Sequence, residues 1–555
     1  MRSNFICSLS SVVRIKMNWM LKRVLLLFAL IPIMPVVYSQ TQPGIGSEVD
    51  FSATYRIYPS NVNQTEVFIT RSPLDQNILF SACNTLTFIP FFISEGIYVS
   101  TNGGETWRGN DTCTGNPIAY HGGDAGITID KNGTFLLTRL GRSPFVGLYS
   151  HYSNDNGLTW SSQQVISTDD LERAALTTEV DHESAWYGRS YAAWVRFALP
   201  YPLMFSYTDD GGQHWKEPVA INNPPNRSAG GDLAVGPDGK LYACWAGVTD
   251  FSPFKEIHVG FAGSDNGGAS WTVVESAFPM NGISGILTNK SNIRVNSLPS
   301  LAVDTTNGPY RGRIYVITTQ KGLAPAGSDP DIILNRSNDG GETWSPALRV
   351  NQDPLNNGKT QYFPAIHIDR FGAVNILFYD DRNTTTDSTG VFLARSTDGG
   401  ETWSEFEISD HNFKPIPIGG LGQGYQGDMI GITSTDSKLW PVWMDNSSGI
   451  YQIWTVPVDF AEVGTRELLG PLEDWLKIMP NPADQKIILE FQNMLQSRVE
   501  IIITDCFGRN FHEATIRTGT RSYSLNCTEW PAGIYIARVI SNDNNNSSIK
   551  FIVSH

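Results

Sequence analysis

Short apolar or alternating runs, among them "DIILNR", "GVFLAR", "LYACWAG" and "AVNILFYD", succeed one another between about residues 50 and 460, with small polar turns between them. Such runs, only a few residues long and bounded by Gly, Asp and Asn, are the signature of strands buried on one face or on both. The pattern predicts an all-β chain.

Six of the turns have one form: "STNGGETW" (100–107), "SNDNGLTW" (153–160), "TDDGGQHW" (208–215), "SDNGGASW" (264–271), "SNDGGETW" (337–344) and "STDGGETW" (396–403). Each has a carboxylate or amide third and a glycine fifth, with strand-like runs on both sides. The Asp or Asn side chain is suited to bond amides within the turn, and Gly accepts the positive φ that other residues resist. The tryptophan is expected to pack between neighbouring units.

A second motif lies between these turns. Strands begin at "QTEVFIT" (64), "GGDAGITID" (122), "VDHESAWY" (180), "GGDLAVGPDG" (230), "LPSLAVD" (298), "YFPAIHID" (362) and "YQGDMIGI" (425), roughly 60 residues apart. That is room for four short antiparallel strands per unit, and radial repetition of such sheets is a β-propeller. The last unit runs through "KLWPVWMD" and "YQIWTVPV" without a further glycine turn. "DFSATYRIYPS" (50–60) is placed to supply its outer strand and close the ring, removing free edges. Seven starts imply seven blades over residues 41–462, with six blades as the alternative.

The ends differ from this pattern. Lys22 and Arg23 precede "VLLLFALIPIMPVVY" and the small Ser39 follows, so residues 1–40 read as a cleavable export signal; the two prolines and short run disfavour a membrane anchor. Residues 463–476 form a linker. Beyond it come "PNPA", "TDCFGRN" and "PAGIY", strands and turns of a small Ig-like β-sandwich over 477–555. The cysteines fit an oxidising compartment, with Cys83–Cys113 and Cys506–Cys527 close enough in sequence to bridge neighbouring strands, and no spacing suggests zinc. The net charge of -15, from 40 basic and 55 acidic residues, disfavours nucleic acid and anionic membranes as partners.

The six turns resemble the Asp-box of the BNR repeat, "S-x-D-x-G-x-T-W", shared by sialidases, sortilin-type receptors and other propeller families. "FYDDR" (378–382) and "GYQGDMIGI" (424–432) are similar to segments of secreted bacterial exo-sialidase-like propellers. The tail resembles the C-terminal sorting domain of type IX secretion substrates. That resemblance implies a Gram-negative Bacteroidetes host, the type IX machinery as partner, and release or attachment at the outer surface. Sialidase kinship implies three arginines on a sugar carboxylate, an Asp acid/base, and a Tyr nucleophile activated by Glu. "YRIYPS" offers Arg56, with Tyr58 inserted into the family's Arg-Ile-Pro motif, and Arg382, Arg139 and Arg189 are further candidates.

Read from the residues themselves, acids at the strand starts are the candidate chemistry: Glu66, Asp124, Asp181 or Glu183, Asp232 and Asp428. First strands line a propeller's channel, so these groups are placed to form a glycosidase acid and base pair or to ligate Ca²⁺ through oxygen. The plainer reading has them bonding amides of neighbouring blades. Tyr379 and Arg382 in "FYDDRN" form either a site or an Asp–Arg surface turn, and His182 and His367 read as core or channel residues. The function classes are a secreted sialidase-like glycan-cleaving enzyme, a non-catalytic propeller binding a glycan or protein, and a lyase or glycosidase using an acid pair.

Overall fold

The computed structural model describes residues 51–555 apart from 89–90, 114–120, 421, 461–462, 464–475, 492–498, 506–508 and 542–546. The export signal, most of the linker, and Cys506 lie outside the described residues.

From Tyr55 to Asp459 the chain forms seven antiparallel sheets of at least four strands among the described residues. Their first strands are Asn63–Arg71, His121–Ile129, Ala175–Thr178, Arg227–Val235, Ser300–Val303, Gln361–Ile368 and Gly431–Ser434. Each of these touches the next, and the last touches the first, so the sheets close on themselves around an axis. Between the fourth and fifth sheets a small hairpin is inserted, Gly285–Leu287 with Ile293–Val295. The architecture is a β-propeller.

Closure uses both ends of this region. Gly431–Ser434, Lys438–Asp445 and Gln452–Thr455 come from the end, and Tyr55–Arg56 from the beginning adds the outer strand, pairing Tyr55 with Thr455 and Arg56 with Trp454. Arg56, over the Trp454 ring at 5.9 Å, is therefore part of the closing strand. The third first strand is displaced from its expected place: it is "ALTT" (175–178), and Asp181, His182 and Glu183 lie in the turn that follows, with the imidazole of His182 78% exposed. Two threonines made this strand too polar to read as a buried run.

All six Asp-boxes join a third strand to a fourth, and one hydrogen-bond scheme recurs. In the fifth sheet Ser337 Oγ donates to Asp339 Oδ1 (2.8 Å) and accepts from Gly341 N (2.9 Å), while Thr343 N donates to the same carboxylate (2.9 Å). Gly340 and Gly341 sit at φ 78° and 93°, in the region that favours glycine. A Cβ on Gly341 would also fall 2.1 Å from the Phe261 ring of the preceding sheet. Trp344 packs on the same ring edge to face, at 5.1 Å. The box is thus both a hairpin corner and a contact between sheets.

Among the described residues the C-terminal region has a three-stranded sheet, Leu476–Met479, Lys486–Phe491 and Ser522–Asn526, and a four-stranded one, Val499–Asp505, Asn510–Ile516, Gly533–Ser541 and Ser547–Val553. Inward residues of both, including Ile487, Leu489, Ile501, Ile503, Tyr535 and Phe551, share one apolar cluster. Cys83 forms no bridge to Cys113; its sulfur lies 3.8 Å from the Tyr98 hydroxyl, buried between strands.

Candidate functional site

Four first strands carry a bulge at corresponding places, where pairing slips between Thr65 and Phe68, Gly123 and Gly126, Ala229 and Asp232, and Tyr362 and Ala365. A bulge inserts one residue and re-aims its side chain. The left-handed residue within it is glycine in one strand, Gly230 at φ 56°, but Glu66 (55°), Asp124 (58°) and Phe363 (51°) in the others. A non-glycine residue there costs free energy that surrounding structure must offset, and such positions gather at functional sites.

Glu66 and Asp124 meet at one amide. Asn84 Nδ2 donates to Glu66 Oε2 at 3.1 Å and to Asp124 Oδ1 at 3.2 Å, and its carbonyl oxygen accepts from Asp124 N. The two carboxylate oxygens are therefore at most about 6.3 Å apart, the sum of the two bonds. Gly123 permits this closeness: at φ 81°, a Cβ there would stand 3.0 Å from Asn84 Oδ1. Burial pushes the Glu66 carboxyl well above the usual carboxylate range, and the charges of Asp124 and Asp428 push it the same way. Burial also raises Asp124 and Glu172. This end of the channel holds carboxyl protons to higher pH than water would allow.

These acids line a cavity of about 720 Å³, a size typical of small-ligand sites. Three arginines line it too. Arg294, brought in by the inserted hairpin, ion-pairs with Asp428 and lies 5.2 Å from the Tyr425 ring. Arg173 stacks on Phe68 at 4.4 Å, donates a long bond to Ala174 O (3.4 Å), and keeps a buried Nε with no hydrogen-bond partner among the described residues. Arg227 lies over the rings of Tyr201 (4.0 Å) and Phe254 (4.3 Å). The Tyr425 hydroxyl lies 3.0 Å from Thr65 Oγ1 and 3.3 Å from Asn84 Nδ2, close to the acid pair.

Of the candidates read from sequence, Glu66, Asp124 and Asp428 come together here, while Asp232, Tyr379 and Arg382 are placed elsewhere. Asp232 joins sheets four and five, accepting from Leu301 N (2.9 Å) and Ser300 Oγ (3.3 Å), beside a smaller cavity of about 190 Å³. Tyr379 is buried and donates to Met444 O at 2.6 Å, tying sheet six to sheet seven. Arg382 is held by Asp380 and Glu405 at 2.6–2.8 Å. Arg139 is buried on His151 and Gln163, and Arg189 pairs with Asp209. His367 is a half-buried residue lining a further cavity, bonded to Ser434 at 2.8 Å, and desolvation lowers its pKa to about 4. Among the described residues no group of three or more His, Cys, Asp or Glu has metal-binding geometry.

Sequence reading missed Glu172, Arg173, Arg227, Arg294 and Tyr425. A usable signal existed for three of them. Glu172–Arg173 lie just before one first strand and Arg227 is the opening residue of another, the end that lines the cavity.

Residues 477–554 match the family model of the secretion system C-terminal sorting domain, and residues 394–405 match the BNR/Asp-box repeat. The chain therefore carries a type IX sorting domain and is directed to the cell surface or beyond. No curated protein matches it. Solved structures it is similar to include a protein of unknown function from Dyadobacter fermentans, at 13% identity over 74% of this chain and 98% of that one, TM-score 0.42. An ulvan lyase of polysaccharide lyase family PL25 aligns at 10% identity over 73% of this chain and 96% of that one, TM-score 0.47. The leech intramolecular trans-sialidase aligns at 13% identity over 64% and 70%, TM-score 0.40. Among the described residues, no helix is long and apolar enough to cross a membrane.

Proposed function

We propose that this chain is a secreted, seven-bladed propeller with an Ig-like sorting domain, and that it binds the acidic end unit of a glycan at the ring centre and cleaves the adjoining glycosidic bond. The cyclic contact of the first strands supports the blade count. One observation carries the functional reading: a proton-holding pair, Glu66 and Asp124, shares a cavity with Arg173, whose buried Nε has no partner among the described residues. A buried guanidinium donor without an acceptor calls for an anion, and a sugar carboxylate supplies one.

In this reading Arg173 and Arg294 hold the carboxylate, and the protonated carboxyl of Asp124 donates to the leaving glycosidic oxygen. The carboxylate separation is below the range in which an inverting enzyme seats a water between its two acids, so a direct nucleophile is required. The pair shares one proton in this reading: with Asp124 protonated as the acid, Glu66 is the ionised partner and takes the proton of the Tyr425 hydroxyl, which attacks as the nucleophile.

A panel of fluorogenic glycosides with and without a sugar carboxylate, assayed together with calorimetric binding, tests this. Turnover of acidic glycosides only is expected, and Arg173→Gln should weaken their binding about tenfold or more. Binding without turnover in the wild type would instead favour a lectin-like propeller, and absence of both would refute the glycan reading.

A further inference from the structure

The three arginines are not equivalent. Of the three, Arg173 and Arg294 are the ones whose charges act on the carboxyl groups, Arg294 on Glu66 and Arg173 on Asp124, Glu172 and Asp232. Arg227 is drawn instead to two hairpin tips. One links Ser190–Val195 to Leu203–Thr208 in sheet three, and the other links Leu241–Val248 to Glu256–Ser264 in sheet four. Tyr201 comes from the first tip and Phe254 from the second, and the guanidinium lies over both rings, at 4.0 and 4.3 Å. Beyond these stacking contacts the Arg227 side chain makes no hydrogen bond or ion pair among the described residues.

The clamp is held at a cost. Tyr201 sits at φ 63° and Phe254 at φ 57°, left-handed positions where glycine would be relaxed and a bulky side chain is strained. The same tips expose apolar surface: Phe197 (43%) and Phe254 (38%) line the cavity, with Leu199 (81%) and Phe251 (71%) beside them. Aromatic rings flanking an arginine with free donors suit a sugar that offers an apolar face together with an acidic substituent.

Resting on the glycan reading above, we propose that the cavity has a second subsite, formed by Arg227, Tyr201, Phe254 and Phe197, for the sugar unit next to the one held at Glu66 and Asp124. That unit carries an anionic substituent, carboxylate or sulfate, toward Arg227. Its apolar ring face lies on Phe197 and Phe254. The strain at the two tips fixes Arg227 before the ligand arrives, which lowers the ordering cost of binding.

The test compares calorimetric Kd values of three probes: glucuronic acid, a glucuronate-terminated disaccharide with a neutral second unit, and the same disaccharide sulfated on that unit. A fourth probe carries a second glucuronate. The wild type should prefer an acidic disaccharide over the monosaccharide by about tenfold or more, and the sulfated and carboxylated probes say which anion is taken. In Arg227→Gln and in Phe254→Gly that ratio should fall toward one. Phe254→Gly should melt no lower than the wild type, because glycine relieves the backbone; Phe197→Ser provides the same ratio test should the glycine variant not fold. Equal affinity for mono- and disaccharides in the wild type overturns the second subsite. So does an Arg227→Gln variant that loses monosaccharide binding, which would place Arg227 with the inner pair. Failure of every probe to bind would strike the glycan reading itself.

Discussion

The Asp-box corners and the channel mouth use the same materials, carboxylates and left-handed backbone, to opposite ends. In the boxes the left-handed positions belong to glycine, with Asn156 of the second box, a residue type that tolerates this region, the exception, and the carboxylate is saturated with hydrogen bonds from its own turn. Those bonds hold Asp155 and Asp339 down to about 2. At the mouth the left-handed positions are filled by Glu66 and Asp124, and burial drives their carboxyl groups upward. A corner that serves the fold is relaxed and satisfied. The mouth is strained, under-bonded and reluctant to ionise, the condition expected of groups kept for a ligand or for chemistry.

The sharpest way to break this contrast is to remove the acid at the mouth. Asp124→Asn keeps shape and tolerates the left-handed backbone, so activity on acidic glycosides should fall about 100- to 10,000-fold. Stability should hold or rise. An acid whose folded pKa lies above its unfolded one costs stability once pH passes the unfolded value, and asparagine removes that cost. For the same reason wild-type activity should fade as pH rises through the elevated carboxyl range, because the reaction needs the proton. A melting temperature that drops with activity would reassign Asp124 to the scaffold.

At the corner the expected outcome is the reverse. Gly341→Ala asks alanine to adopt φ 93° and puts its Cβ 2.1 Å from the Phe261 ring. The combined strain and overpacking should cost about 3 kcal/mol, read as a lower denaturant midpoint, while the glycan affinity of the folded fraction is unchanged. Tolerance of alanine would mean that the box does not join neighbouring sheets.

The two regions also differed in how well the sequence disclosed them. The boxes are local: the Ser, Asp, Gly and Thr that satisfy one another lie within seven residues, so spacing alone revealed their bonding and the all-β repeat. The strand of Tyr55 and Arg56 was legible as a closing strand because the last unit lacked a box. The mouth is assembled from distant segments. Arg294 stands in a hairpin that belongs to no repeat, yet it meets Asp428 across 134 residues. Arg56, Arg139 and Arg189 carried the motif or the strand context but had structural partners that only the tertiary arrangement supplies. Glu66 and Asp124 could be suspected as strand-start acids, but their meeting at Asn84 depends on two bulges and a glycine that periodicity does not reveal.

The smallest effect concerns pH and the corner alone. Asp339 is exposed, and its depressed pKa comes first from the Thr343 side chain and then from the Thr343 amide. Its folded value, about 2, lies below the unfolded one of about 3.9, so its contribution to stability is complete above pH 4 and disappears as pH falls through 2. Solvent screening of so exposed a group limits that contribution to about 1 kcal/mol. Asp339→Asn should therefore lower stability by about that amount at neutral pH and converge with the wild type in strong acid. Box four already has Asn266 at this position, with Ser270 N donating to it at 2.9 Å, so the amide is geometrically able to hold the turn. Curves that stayed parallel down to pH 2 would show that the corner draws nothing from ionisation, and the charge half of the contrast between rim and mouth would fall.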